Sequence, residues 1–177
     1  MNKIYIFLIS SLYSLCIFSL NPCPDNPEDK WHNCFGSYQY PSGETYSGEW
    51  KNNLFDGDGV FLYQNGDRYV GQFKKDLPEG NGTYQYKNGD LYVGDWKKGK
   101  RHGKGFYAHS VGEWETDLYV GDFVEDMKNG EGIYTFTDGV RYIGEFKDDK
   151  KEGKGRYIYL DGSTKQIECL ADLCKEI

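Results

Sequence analysis

Through most of the chain apolar and polar residues alternate one for one in short runs, and the runs come in pairs. In Tyr69-Val-Gly-Gln-Phe73 and Gly80-Asn-Gly-Thr-Tyr84-Gln-Tyr86, alternation puts Tyr69, Gly71, Phe73, Gly80, Gly82, Tyr84 and Tyr86 on one face. Val70, Gln72 and Lys74 fall on the other. A period of two predicts strands whose two sides have different surroundings. Asn65-Gly66, Asn88-Gly89, Asp138-Gly139 and Asp161-Gly162 punctuate the runs, and such dipeptides accept the positive φ of type I′ hairpin turns. The other link of each pair is longer and polar: Lys51–Asp56, Lys74–Glu79, Lys97–His102, Val124–Asn129 and Lys147–Glu152. These are expected to be exposed loops.

The pairs repeat. Tyr46-Ser-Gly48-Glu-Trp50 leads to Gly57-Asp-Gly59-Val-Phe61, and the same unit recurs from Tyr69, Tyr92, Tyr119 and Tyr142. The leading tyrosines are 23, 23, 27 and 23 residues apart. A fixed period of this size marks a repeat architecture. Glycine weakens an ordinary strand, so its regular placement needs a steric reason. Rings from one strand lying over the Cβ-less positions of the next supply it.

The unit Y-x-G-x-[WF]-x6-G-x-G-x-[YF] resembles the MORN (membrane occupation and recognition nexus) repeat, over roughly residues 33 to 166. The resemblance implies an all-β fold: an elongated single-layer antiparallel meander of tandem β-hairpins. It also implies a scaffold, partner-binding or membrane-associated role rather than one chemistry. Gly36-Ser-Tyr38-Gln-Tyr40-Pro-Ser-Gly43 matches Gly82-Thr-Tyr84-Gln-Tyr86-Lys-Asn-Gly89 at two periods' offset, which makes it a half repeat with Cys34 in place of a glycine. His32-Asn-Cys34-Phe-Gly36 is similar to the lead-in of exported bacterial MORN proteins. The expected organisation is a leader at 1–19, a proline-rich lead-in at 20–32, the half repeat at 33–45, five repeats at 46–166 and a terminal cap at 167–177. The lead-in is expected to hold no regular element. Lys165-Gln-Ile167-Glu-Cys169 reads as a degenerate last strand, and the tail after it as a turn or one helical turn.

Lys3 precedes an uncharged apolar run from Ile4 to Leu20 that breaks at Asn21-Pro22. This is the form of a secretory signal peptide, with cleavage after Ser19. Seventeen residues is also the short limit for an uncleaved anchor. A lipoprotein signal fits less well, because Leu15 before Cys16 and Pro22 before Cys23 are not small. Export, to a periplasmic, envelope-associated or secreted location, is the expectation. In that setting Cys23, Cys34, Cys169 and Cys174 are expected to form disulfides, with Cys23–Cys34 and Cys169–Cys174 preferred because each pair is local and sits at one end of the array.

The chain carries 28 acidic and 21 basic side chains, a net charge of −7. That balance is a poor fit to nucleic acid or to bulk attraction by anionic lipid. No H-E-x-x-H, G-x-S-x-G or complete P-loop is present, and Asp56-Gly-Asp58-Gly lacks the remaining ligands of a calcium loop. No catalytic activity, cofactor or metal is expected. Candidate partner-binding residues come from two places. One is the acidic row at the repeat's fourth position (Glu49, Asp95, Asp122 and Glu145), beside a basic row (Lys51, Lys74, Lys97 and Lys147) with which cross-strand charge pairing is expected. The other is Trp114, flanked by Glu113 and Glu115 in the four-residue insertion of the third repeat; tryptophan often anchors interfaces. A protein partner is the first reading, a carbohydrate or cell-wall ligand stacked on exposed rings the second.

Overall fold

The computed structural model describes residues 20–26, 28–110 and 117–177; the leader and Trp114 lie outside them. The described residues form one open sheet of fourteen strands in sequence order. They are β1 (Asn21–Pro22), β2 (Cys34–Gln39), β3 (Thr45–Lys51), β4 (Leu54–Leu62), β5 (Arg68–Lys74), β6 (Leu77–Gln85), β7 (Leu91–Lys97), β8 (Lys100–Ala108), β9 (Leu118–Val124), β10 (Met127–Thr135), β11 (Arg141–Lys147), β12 (Lys150–Ile158), β13 (Thr164–Leu170) and β14 (Leu173–Glu176). All neighbours pair antiparallel except β1, which lies parallel to β2. The lead-in thus contributes a short strand, and the tail is a strand rather than a helical turn. Disulfides join Cys23 to Cys34 and Cys169 to Cys174.

The two kinds of link are the reverse of the sequence expectation. At Asn65-Gly66 only Gly66 has positive φ, at 94°, and the Gly66 amide donates to the Tyr63 carbonyl. This is a type I turn followed by a left-handed glycine, not type I′. The supposed long loops are the two-residue type I′ turns. Lys75 and Asp76, for example, have φ of 50° and 69°, and Leu77 already pairs with Lys74. Residues 54–56 and their counterparts are therefore strand.

The extra length is absorbed in a bulge. Gly71 pairs with Gly82 and Phe73 with Pro78, so Glu79, Gly80 and Asn81 stand opposite Gln72 alone. Gly80 takes φ of 76° to make that excursion, a conformation that L side chains rarely adopt. Gly80 is thus a bulge residue and not part of the aromatic stripe; a Cβ there would meet the Gln72 side chain.

The second glycine of each pair has the expected role. Tyr46, Tyr69, Tyr92, Tyr119 and Tyr142 are fully buried. Each lies along its strand over two facing glycines. A Cβ on Gly105 would stand 2.5 Å from Cε2 and 2.7 Å from the hydroxyl of Tyr92. Each of these hydroxyls donates to the carbonyl of the residue three ahead, at the bulge: Glu49, Gln72, Asp95, Asp122 and Glu145, at 2.9–3.1 Å. The next row, Trp50, Phe73, Trp96, Phe123 and Phe146, is buried too. Phe73, Trp96, Phe123 and Phe146 each stand edge-on between their own tyrosine and that of the preceding hairpin, the latter at 5.1 Å between ring centres. Edge-to-face pairs contribute roughly 0.5–1.5 kcal/mol beyond area burial, so this row couples each repeat to the one before it.

A second coupling was not anticipated. Asp67, Asp90 and Asp117, each two residues before a buried tyrosine, reach into the next hairpin. Asp67 accepts from the Lys87 amide and the Tyr84 hydroxyl, Asp90 from Ser110 and Tyr107, and Asp117 from Thr137 and Tyr134, all at 2.7–2.8 Å. In the next unit the position is Val140, and the residues 17 and 20 ahead of it are Tyr157 and Leu160. Val140→Asp should extend the series and stabilise the chain by about 1 kcal/mol, the net scale of an intramolecular hydrogen bond. Thermal unfolding is expected to rise by about 2–4 °C.

Candidate functional site

The face opposite the buried tyrosines carries two parallel rows separated by glycine backbone. One row is apolar. It runs from Val60 through Val70, Thr83, Val93, Phe106, Val120 and Ile133 to Ile143, each residue opposite the next across a strand pair. Val93, Val120 and Ile133 remain 42%, 51% and 40% exposed. Branched apolar side chains suit a pleated strand, but here nothing in the sheet covers them. In the sequence, alternation puts Val70 on this face, and with it Val93, Val120 and Ile143 at the same place in later repeats; the residue after each second glycine, Val60, Phe106 and Ile133, was passed over. Alternation from Gly105 through Phe106 to Tyr107 was the signal for it.

The other row holds the predicted acids. Glu49, Asp95, Asp122 and Glu145 all sit on this face at the bulges, each on the odd-numbered strand of its hairpin. Asp95 accepts from the Asn81 side chain at 2.6 Å and the Lys104 amide at 3.0 Å. Asp122 pairs with the Lys104 ammonium at 2.7 Å. Glu145 stands directly across from Glu131. Among the described residues the expected ion pairs with the sixth-position lysines do not form. Lys51, Lys74, Lys97 and Lys147 flank the tight turns and lie opposite Leu54, Leu77, Lys100 and Lys150. The bulge displaces them from the acids.

Between β7 and β12 the rows enclose a groove of about 660 Å3. Val93, Phe106, Val120 and Ile133 form one wall, and Lys104, Glu131, Glu145 and Lys154 the other. The aromatic face is different: its rings are mostly buried in one another. Row positions 55, 78, 101, 128 and 151, assigned by sequence to loops, lie on it. Phe55 stacks on Tyr46 at 3.8 Å, whereas Arg101, Lys128 and Lys151 hold their cationic heads over rings. Among the described residues no cluster of three or more His, Cys, Asp or Glu is placed to hold a metal ion.

Fold and surface together define a tandem-hairpin repeat protein of the binding kind. The MORN-repeat family model matches residues 46–68, 69–91, 92–114, 119–141 and 142–164, more than half of the chain, and the chain belongs to that family. No enzyme family is indicated. No curated protein matches it significantly. Among solved structures it is similar to the TCP domain of SAS-4 (dCPAP) from Drosophila melanogaster, determined with a proline-rich motif of Ana2 (dSTIL). That likeness has 15% identity and a TM-score of 0.48 over 79% of this chain and 81% of the other, too loose to bear on function.

Proposed function

We propose that the protein is a non-catalytic, exported MORN-repeat scaffold of bacterial type that holds a protein partner on the face opposite its buried tyrosines. The observation that carries this reading is the exposed apolar row beside an acidic one. Monomeric proteins seldom leave contiguous apolar surface uncovered unless something docks there. The partner segment would offer apolar side chains to Val93, Val120 and Ile133, and lysine or arginine to Glu131 and Glu145. Export is supported by the leader-like N-terminus and by two disulfides, which persist in oxidising compartments. Envelope association would follow from the partner rather than from lipid, given the net negative charge.

The test places a photo-crosslinking residue at Val120 or, on the aromatic face, at the exposed Tyr38, and irradiates the protein in its native envelope fraction. One discrete protein adduct from position 120, absent from position 38 and lost on Ile133→Lys, is expected. Equal labelling from both faces, or an adduct indifferent to Ile133→Lys, would reject the site. Binding of isolated cell-wall glycan with no protein adduct would favour the carbohydrate reading instead.

A further inference from the structure

The two halves of the aromatic face differ in charge. Phe55 and Pro78 occupy the turn-side row in the first two repeats; Arg101, Lys128 and Lys151 occupy it in the last three. These cations sit on β8, β10 and β12, each two strands from the next. Strands lie ~4.8 Å apart, so successive cations are spaced by about 9.6 Å. A polyproline II segment, with three residues per turn at ~3.1 Å each, brings every third side chain to one side at about the same interval.

The cations rest on rings. The Arg101 guanidinium carbon lies 5.3 Å from the centre of Tyr107 and 5.4 Å from Phe123. The Lys128 ammonium is 5.5 Å from Tyr119 and 5.0 Å from Tyr134. Lys151 is 5.3 Å from Phe136 and 5.5 Å from Tyr142. Asp126 occupies the Arg101 Nε at 3.3 Å and its carbonyl accepts from Nη2, which leaves part of the five-donor fork unused. Asp149 lines the same cavity as Lys128, but its Oδ1 accepts from the Lys128 backbone amide at 2.9 Å. Burial pushes the Lys128 ammonium below the ordinary lysine value, with Asp149 opposing the shift and Arg101 adding to it. Tyr107, His109 and Phe123 complete the cavity of about 280 Å3 between Arg101 and Lys128.

We propose that this half of the aromatic face is a second binding site, distinct from the opposite face, for an acidic peptide segment in the polyproline II conformation, laid across the strands with carboxylates at every third residue. The rings are not free platforms for sugars, because the cations already cover the faces of Tyr119, Tyr134, Tyr142 and Tyr157. A carboxylate can still approach each cation from the solvent side, where the ring quadrupole does not compete with it.

The oxidised, full-length protein is titrated at low salt with two fluorescent peptides of identical composition. One is built from Glu-Ser-Gly triplets; the other has its glutamates adjacent in pairs. The triplet peptide should bind at least about tenfold more tightly, a difference of ~1.4 kcal/mol, and its affinity should fall as salt rises. Lys128→Met and Lys151→Met keep the apolar stem over the rings and remove the charge. Each should weaken the triplet peptide about tenfold with the circular dichroism spectrum and melting temperature unchanged. Equal affinity for the two peptides would overturn the proposal. So would binding indifferent to both methionine variants, or preference for an acidic polysaccharide such as polygalacturonate over either peptide.

Discussion

Gly105→Val should unfold the third hairpin or lower the melting temperature of the whole chain by about 10 °C. The first carbon of the new side chain would stand within 2.8 Å of three atoms of the Tyr92 ring and hydroxyl. That ring cannot move aside. It is fully buried, edge-on to Trp96 at 5.2 Å and Phe123 at 5.1 Å, and its hydroxyl is held by the Asp95 carbonyl at 2.9 Å. Overpacking a filled core costs ~1–3 kcal/mol and sometimes more, and here a buried hydrogen bond is lost with it. Calorimetry of the variant beside Gly43→Ala provides the contrast, because nothing stands within 4 Å of a Cβ at Gly43 and only its left-handed φ is strained. A Gly105→Val protein that melts like the parent would show that the tyrosine–glycine stack does not hold the hairpins.

Asp67→Asn and Asp90→Asn should each cost about 1–3 kcal/mol near neutral pH and flatten the acid limb of the stability curve. Burial alone would raise these carboxyls. Hydrogen bonds from the Lys87 amide, the Tyr84 hydroxyl and the Asn65 side chain outweigh it at Asp67, as do those from Ser110, Tyr107 and Asn88 at Asp90. Both carboxyls therefore titrate below their ordinary value. A depressed native pKa means that the stabilisation is complete above the unfolded value of ~3.9 and is lost as pH falls through the lower native value. Urea midpoints at pH 7 and pH 3 give the comparison: the parent should lose stability between them, and the asparagine variants should lose less. The cost at neutral pH arises because asparagine keeps one acceptor and places an amide donor against a phenol that must itself donate. A parent protein equally stable at both pH values would remove these aspartates from the account.

These two cases also show what could be read from the chain alone. Tyrosine followed two residues later by glycine, at a 23-residue period, has one economical explanation, ring over bare backbone, and the structure has it. Asp67, Asp90 and Asp117 keep step with the tyrosines, yet an aspartate beside Asn-Gly, as at 67 and 90, reads locally as a turn residue. Its real partners lie 17 and 20 residues ahead, in the next hairpin. Lys128 and Lys151 were hidden for a similar reason. A lysine near a turn reads as solvated, and only the bulge, which restores strand pairing at Met127 and Lys150, turns their stems onto the rings. On the opposite face the acids and part of the apolar row were found, but the lysines were wrongly set beside the acids, because the bulge resets the register between a glycine pair and the tight turn. Alternation predicts which side a residue faces; it does not predict where three residues will stand against one.

Among the described residues every strand pairs only with the strands written immediately before and after it in the chain. No contact requires distant parts of the polypeptide to find one another, so the search that slows most β proteins is short in this one. The same economy governs inheritance. A hairpin could be duplicated or lost by one in-frame event and leave the remaining interfaces as they were, so the number of units is free to drift to match the reach of whatever is held.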